Sequence, residues 1–184
     1  MLASHLDYGM MSNMKTNKTH KTAISRNKLS APVQWLLDND HIKQRDHLLD
    51  YGCGKGTDVD FLNGLGIQTW AYDPYWFDVH FAKGVHDVVL CTYVLNVIFR
   101  GTDAYDCVRG CIEASNGGPI FFAVRNDKSN LKGWTKRNTY QWFVPLGFVQ
   151  EVCNRVSVGI QIPARIVTEV HKTSSYVIYK AECV

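Results

Sequence analysis

The chain has 184 residues, of which 46% are hydrophobic and 20% charged, and its formal net charge is +3. This length fits one compact domain, and the composition is ordinary for a globular protein with a buried core. Neither an apolar run near the ~20 residues that span a bilayer nor a secretion signal in residues 1–14 is visible, so we expect a cytoplasmic protein. The six cysteines lack Cys-x-x-Cys spacing, which argues against a secreted disulfide scaffold.

The elements in chain order follow from helix caps and apolar runs. Residues 1–20 are rich in Met, Asn, Thr and Lys without periodicity, so we expect a flexible segment followed by one domain over residues 21–184. Ser30-Ala31-Pro32 predicts the start of a helix, because serine caps helices and proline is tolerated in the first turn. The next elements alternate, with strands predicted at 47–51, 67–72, 86–91 and 120–124 and helices at 57–65 and 103–114.

The last part of the chain is predicted to end in two strands. A polar loop to Asn138 leads into a predicted short helix over residues 139–144, and strands are predicted over 148–158 and 175–181. With no helix between them, these last strands can pair antiparallel. Strands that alternate with helices form a parallel sheet covered on both faces. The sequence therefore predicts an α/β fold with a Rossmann-like sheet, mostly parallel, that ends in an antiparallel strand pair.

A glycine-rich turn follows the first predicted strand. The residues Asp50-Tyr51-Gly52-Cys53-Gly54-Lys55-Gly56 precede a helix, and glycines there let the backbone bend sharply and approach a ligand. The dinucleotide fingerprint would place its third glycine at Thr57, which disfavours an NAD(P) oxidoreductase. Asp73 closes the next strand, where a carboxylate can accept hydrogen bonds from both hydroxyls of a ribose. Together these features indicate a nucleoside cofactor.

This plan resembles that of the class I S-adenosylmethionine-dependent methyltransferases, whose sheet ends in a reversed seventh strand. The resemblance implies S-adenosylmethionine as cofactor and an enzyme that aligns a nucleophile with the methyl group. The connection from Asp73 to Val85 leaves room for little more than a loop, so we expect the third strand of that family to be reduced or absent. The implied cofactor-binding residues are Asp50, Gly52, Cys53, Gly54, Gly56, Asp73, Pro74 and Thr92.

Several segments resemble a narrower family, the methyltransferases associated with DNA phosphorothioation systems of bacteria and phages. The resemblance implies a connection to DNA. Two departures are that members are typically much longer and that Asn138 stands where glycine is expected. The matching segments are residues 21–26, 29–32, 50–56, 72–74, 93–98 and 135–141.

Two basic stretches suggest a surface for phosphates. No acid lies between Tyr8 and Leu37, which include five basic residues, and five more lie within residues 125–137 against the single acid Asp127. If the fold is right, both stretches border the carboxyl ends of the strands, where ligands bind in open α/β sheets. We therefore predict a nucleic-acid partner, and the candidate substrate-binding residues are Arg26, Lys28, Lys132, Lys136, Arg137 and Tyr140. A solvated surface is the competing interpretation.

Catalytic candidates follow from the same edge. Asn96 and Tyr93 leave the strand that ends near the expected methyl group, and Lys21 approaches from the N-terminal arm. Cys107 and Cys111 would share a helix face, but no His or Cys partner lies at ligand spacing nearby, so we interpret them as core thiols and predict no metal. The alternatives to a nucleic-acid methyltransferase are a small-molecule methyltransferase and a non-catalytic subunit that binds S-adenosylmethionine.

Overall fold

A computed structural model of the chain describes residues 17–98, 101–127 and 132–184, with Lys132 described by its backbone only. A six-stranded sheet forms its centre, and its members are β1 (Leu48–Tyr51), β2 (Thr69–Tyr72), β3 (Val88–Thr92), β4 (Ile120–Arg125), β7 (Arg165–Lys172) and β8 (Tyr176–Cys183). A separate hairpin consists of β5 (Lys132–Trp134) and β6 (Tyr140–Trp142). The helices are a 3₁₀ turn (Thr19–Thr22), α1 (Ala31–Asp38), α2 (Thr57–Gly64), α3 (Thr102–Ala114) and α4 (Leu146–Gly159).

The order of strands in the sheet is β2-β1-β3-β4-β8-β7. The first four strands run parallel, β8 lies antiparallel to β4, and β7 lies antiparallel to β8. This arrangement confirms the predicted α/β fold with its antiparallel C-terminal pair. Residues 73–87, all of which are described, add no strand to the sheet and form only isolated bridges, as at Asp73 with Phe77. The strand expected to be reduced is therefore absent from this connection.

Alternate residues of each strand face opposite helical layers, because side chains along a strand point to the two faces in turn. Leu49, Val89 and Phe122 belong to the core shared with α3 and α4. Their chain neighbours Leu48 and Val88 belong to the core shared with α1 and α2. The central strands are thus buried on both faces, as expected for a parallel sheet. None of the helices in the described ranges has both the length and the apolar character needed to cross a bilayer.

The strand predicted over residues 148–158 is wrong, because this segment lies within helix α4. Its buried residues Val149, Val152, Cys153 and Val156 follow the i, i+3, i+4, i+7 spacing of one helix face. The high valine content suggested a strand, but tertiary packing of that face outweighs the weak β preference of valine. The partner of β8 in the C-terminal antiparallel pair is β7, and α4 precedes it.

The helix predicted over residues 139–144 is also wrong, because β6 occupies its first half and pairs with β5. The turn of this hairpin closes through hydrogen bonds from Thr135 N to Thr139 O (2.8 Å) and from Asn138 N to Thr135 O (3.2 Å). Asn138 adopts φ +58°, a left-handed conformation that asparagine tolerates better than most non-glycine residues. The asparagine therefore serves at the position where the narrower family led us to expect glycine.

Candidate functional site

A cavity of about 740 Å³ opens at the carboxyl ends of β1, β2, β3 and β4. These ends meet at one edge because the four strands are parallel, and this edge is the usual ligand site of open α/β sheets. The N-terminal segment, residues 19–26, forms part of the wall. The structure brings together on this wall the predicted residues Arg26, Asp50, Gly52, Cys53, Gly54, Asp73, Pro74, Thr92, Tyr93 and Asn96.

The glycines of the turn all have positive φ values, +81° at Gly52, +58° at Gly54 and +77° at Gly56. A Cβ atom at Gly52 would lie 2.4 Å from Val94 Cγ2, and one at Gly54 would lie 3.0 Å from Ala23 Cβ. Backbone conformation and close packing against protein atoms therefore both require glycine at this turn. Gly56 lies outside the cavity wall.

The carboxylate of Asp73 links the glycine turn to the segment that follows β2. Its Oδ2 accepts a hydrogen bond from Gly54 N (3.1 Å), and its Oδ1 accepts from Tyr75 N (2.9 Å) and Trp76 N (3.0 Å). A carboxylate offers about four acceptor positions, so one position remains on Oδ2. Asp73 can thus hold the glycine turn and still accept a hydrogen bond from a ligand hydroxyl.

Asp50 is a buried acid on the cavity wall, with 2% of its surface exposed. Its Oδ1 lacks a hydrogen-bond partner among the described residues. Burial, reinforced by the neighbouring carboxylates Asp58 and Asp73, raises the pKa of Asp50 to about 8, although Arg26 acts in the opposite direction. Near neutral pH this carboxyl group therefore takes up or releases a proton readily when the charge inside the cavity changes.

The turn after β3 contributes a buried amide. Asn96 is 1% exposed, and neither Oδ1 nor Nδ2 finds a hydrogen-bond partner within the described part of the chain. Its backbone is fixed, because Asn96 O accepts from Trp142 N (3.1 Å). An unsatisfied buried amide costs about 1–3 kcal/mol, so such groups are uncommon unless a ligand completes them.

Tyr93 precedes this amide in a strained conformation, with φ +62°. Strained backbone of this kind clusters at functional sites. Burial chiefly raises the pKa of Tyr93 to about 12, so its hydroxyl stays protonated at neutral pH. Cys53, which also lines the cavity, has its pKa raised by burial and is therefore a neutral thiol rather than a nucleophile.

An arginine network that sequence reasoning missed forms the far wall. Arg125, at the end of β4, donates from Nε to Asp127 Oδ1 (2.9 Å) and from Nη1 to Gln141 Oε1 (2.7 Å), and its Nη2 also pairs with Asp127. All three side chains line the cavity. Arg125 had appeared only as one member of a basic stretch, because its contact with Gln141 spans 16 residues and two sheets.

The N-terminal segment is anchored to α2 and covers part of the cavity. Arg26 Nη2 donates to Asp58 Oδ2 (2.8 Å), while Ser30 N donates to Asp58 Oδ1 (2.7 Å). The His20 ring stacks on Tyr75 with centroids 4.1 Å apart. Neither Asp58 nor His20 was singled out from the sequence, since nothing local indicates the partner of either. Arg26, predicted to contact substrate, is engaged with Asp58.

Four other predicted basic residues lie outside the cavity wall. Lys21, Lys28, Lys136 and Arg137 are exposed, and the side chain of Lys132 lies outside the described residues. Tyr140 is partly buried in the hairpin, and its N–H donates to Asn17 Oδ1 (2.9 Å).

The two basic stretches meet next to the cavity. Lys18 N donates to Asn138 O (2.9 Å), which places the N-terminal segment against the hairpin turn that includes Lys136 and Arg137. The adjoining Thr19 lines the cavity.

Solved methyltransferases share this fold. The 1,6-didemethyltoxoflavin-N1-methyltransferase of Burkholderia thailandensis, solved with 1,6-didemethyltoxoflavin and S-adenosylhomocysteine, matches with TM-score 0.57 and 14% identity over 84% of this chain and 77% of that one. A SAM-dependent methyltransferase from Aquifex aeolicus matches with TM-score 0.56 and 12% identity over 91% and 97%. Magnesium protoporphyrin IX methyltransferase from Synechocystis PCC 6803, solved with SAM, gives TM-score 0.52 and 12% identity over 84% and 77%.

These likenesses establish the fold of S-adenosylmethionine-dependent methyltransferases for the chain. The comparison with protein-family models found no match, and neither did the comparison with curated proteins.

Proposed function

We propose that the chain is an S-adenosylmethionine-dependent methyltransferase. The observation that carries the proposal is the cavity at the carboxyl edge, where the glycine turn and Asp73 converge with Asp50 Oδ1 and the Asn96 amide, buried polar atoms that lack partners among the described residues. The residues fit the cofactor: Asp73 has an acceptor position for a ribose hydroxyl, and Asp50 is a buried acid that positive groups of the cofactor would favour in its ionised form. The solved relatives with bound S-adenosylmethionine or S-adenosylhomocysteine support the same cofactor.

The bound cofactor supplies an electrophilic methyl group, so the chain's task is to orient the acceptor and exclude water. In this proposal Asn96 binds the acceptor, because its amide offers one donor and one acceptor that no described residue uses. Tyr93 contributes a hydroxyl that stays protonated and can donate a hydrogen bond. Lys21, which is exposed, fits a contact with phosphate better than a role at the reacting atoms.

We propose a nucleic acid as the acceptor. The support is the contact between Lys18 and Asn138, which joins both basic stretches beside the cavity. A base turned out of its strand could enter the cavity while phosphates contact Lys21, Lys136 and Arg137. The resemblance to methyltransferases associated with DNA phosphorothioation points to the same class of acceptor. A role on nucleic acid also agrees with the cytoplasmic location expected from the sequence.

The test of the acceptor is binding of DNA and RNA oligonucleotides, single- and double-stranded, at several salt concentrations. We expect log affinity to fall linearly with log salt, with a slope of about −0.9 per phosphate contact on duplex DNA. The double variant Lys136→Ala, Arg137→Ala should flatten the slope by roughly one to two units. The matched control is Lys43→Ala, Arg45→Ala, which removes two exposed cations near the opposite end of β1 and should change nothing.

A small-molecule acceptor is the second candidate, favoured by the cover that residues 19–26 place over the cavity. Transfer of a labelled methyl group separates the two candidates. Label in a nucleic acid supports the first, and label only in a metabolite extract supports the second. Binding of S-adenosylmethionine without transfer to either would leave a non-catalytic binding subunit.

A further inference from the structure

Three thiols from two distant elements meet in the core behind the cavity. Cys107 and Cys111 lie one turn apart on the same face of α3, and Cys91 faces them from β3. Their Sγ atoms all lie within 4.8 Å of one another, and those of Cys91 and Cys107 are 3.7 Å apart. The partner of the two helical cysteines could not be seen at ligand spacing in the sequence, because it comes from a strand residue 16 positions before Cys107.

We propose that Cys91, Cys107 and Cys111 form a binding site for a thiophilic divalent cation such as Zn²⁺ or Cd²⁺. A zinc–thiolate bond is about 2.3 Å long, so the sulfur atoms of a tetrahedral site lie about 3.8 Å apart. The distance between Cys91 and Cys107 already matches this value. The remaining pairs need to approach by about 1 Å at most, which small rotations of cysteine side chains provide.

The cavity gives access to this site. Cys91 and Cys111 are fully buried, whereas Cys107 lines the cavity. The Tyr51 hydroxyl packs against α3 at Gly110, next to Cys111 in the chain, since a Cβ atom at Gly110 would be 2.2 Å from Tyr51 Oη. Three protein thiolates with a fourth position open to water or to this hydroxyl resemble the layout of an open zinc site.

Binding changes the proton and charge balance of the cluster. Each thiol that coordinates the cation loses its proton to solvent, so three S–H bonds break and three metal–sulfur bonds form. The occupied site holds three thiolates around a divalent cation, with a net charge of −1. Affinity therefore rises with pH. The proposal rests on these thiols alone and does not depend on methyl transfer.

The experiment titrates reduced, chelator-treated protein with Cd²⁺ and follows the ultraviolet thiolate-to-metal charge-transfer band. We expect saturation at one equivalent, with about three protons released per cation. Cys107→Ser and Cys111→Ser should each weaken binding roughly a hundredfold, while Cys183→Ser, which removes an exposed thiol, should bind as the wild type does. Thermal unfolding with and without the cation reports whether each variant is folded.

Three results would overturn the proposal: no saturable band in the wild type, fewer than two protons released per cation, or undiminished affinity in folded Cys107→Ser. The proton count needs no variant, so it decides the matter even if the serine variants do not fold. A cluster that only packs as small apolar groups would give the first of these results.

Discussion

Asp50 illustrates how one buried carboxyl group can couple stability to ligand binding. Because its pKa in the folded chain is about 8, far above the ordinary value of 3.8, the folded state binds more protons than the unfolded state between these pH values. The contribution of this group to stability therefore falls as pH rises from about 4 towards 8. Positive charge from a ligand would reverse the effect by favouring the ionised form.

Asp50→Asn should remove this pH dependence. We expect the variant to gain stability relative to the wild type by up to about 1.4 kcal/mol for each pH unit between pH 5 and pH 8, because the amide has no charge to bury. Urea unfolding at the two pH values measures the difference.

The same variant should bind S-adenosylmethionine more weakly, and calorimetry in buffers of different ionisation enthalpy should show proton release in the wild type only. Equal stability profiles would contradict the assignment.

Asn96 is a second residue at which the proposed function costs stability of the folded chain. Asn96→Leu replaces an amide that lacks described partners by an apolar group of similar size, so the folded chain should gain about 1 kcal/mol. Methyl transfer should fall at least tenfold, while cofactor affinity stays unchanged, because the amide is proposed to contact the acceptor. Thermal unfolding and a single-turnover transfer assay measure the two effects. A variant with full transfer activity would remove Asn96 from the acceptor site.

Helix α2 begins after a glycine that does not line the cavity. Gly56 has φ +77°, and a Cβ atom there would lie 3.0 Å from Phe77 Cζ. Gly56→Ala should therefore destabilise the chain by about 1–2 kcal/mol. Gly64, the last residue of the same helix, has open space around it, so Gly64→Ala should be neutral or stabilising by up to about 1 kcal/mol. Denaturant unfolding of both variants tests the contrast, and equal effects in the two variants would contradict the strain assigned to a side chain at position 56.

Local signals predicted the elements that surround the glycine turn. The apolar runs at β1 and β3, the turn residues from Gly52 to Gly56 and the acid at Asp73 all lie close together in sequence. Helix α4 was missed, because its valines suggest a strand until their helical spacing is weighed.

The cavity wall was only partly predictable from the sequence. Its contacts join residues on different elements, and no local sequence pattern indicates such pairs. The pairs are Arg125 with Gln141, Arg26 with Asp58, and Cys91 with Cys107.

In the whole molecule, the candidate site lies at the carboxyl edge of the sheet, and the segments that cover the site surround that edge. The segment over residues 17–26 contacts the glycine turn through Ala23, α2 through Arg26 and the hairpin through Lys18. A ligand at the strand ends would therefore contact parts of the chain that are far apart in sequence. Ligand binding should consequently order or clamp these segments together and raise the midpoint of thermal unfolding.

Calorimetric titration of S-adenosylmethionine into the wild-type chain and Asp73→Asn tests the proposed cofactor site most directly. The asparagine keeps an oxygen for the amides of Tyr75 and Trp76 but loses the negative charge and the acceptor for Gly54 N, so unfolding is followed alongside binding. We expect one binding site in the wild type, affinity weaker by about 1–3 kcal/mol in the variant, and no binding of NADH. Absence of binding by the wild type, or equal affinity in a folded Asp73→Asn variant, would contradict the site proposed at the glycine turn.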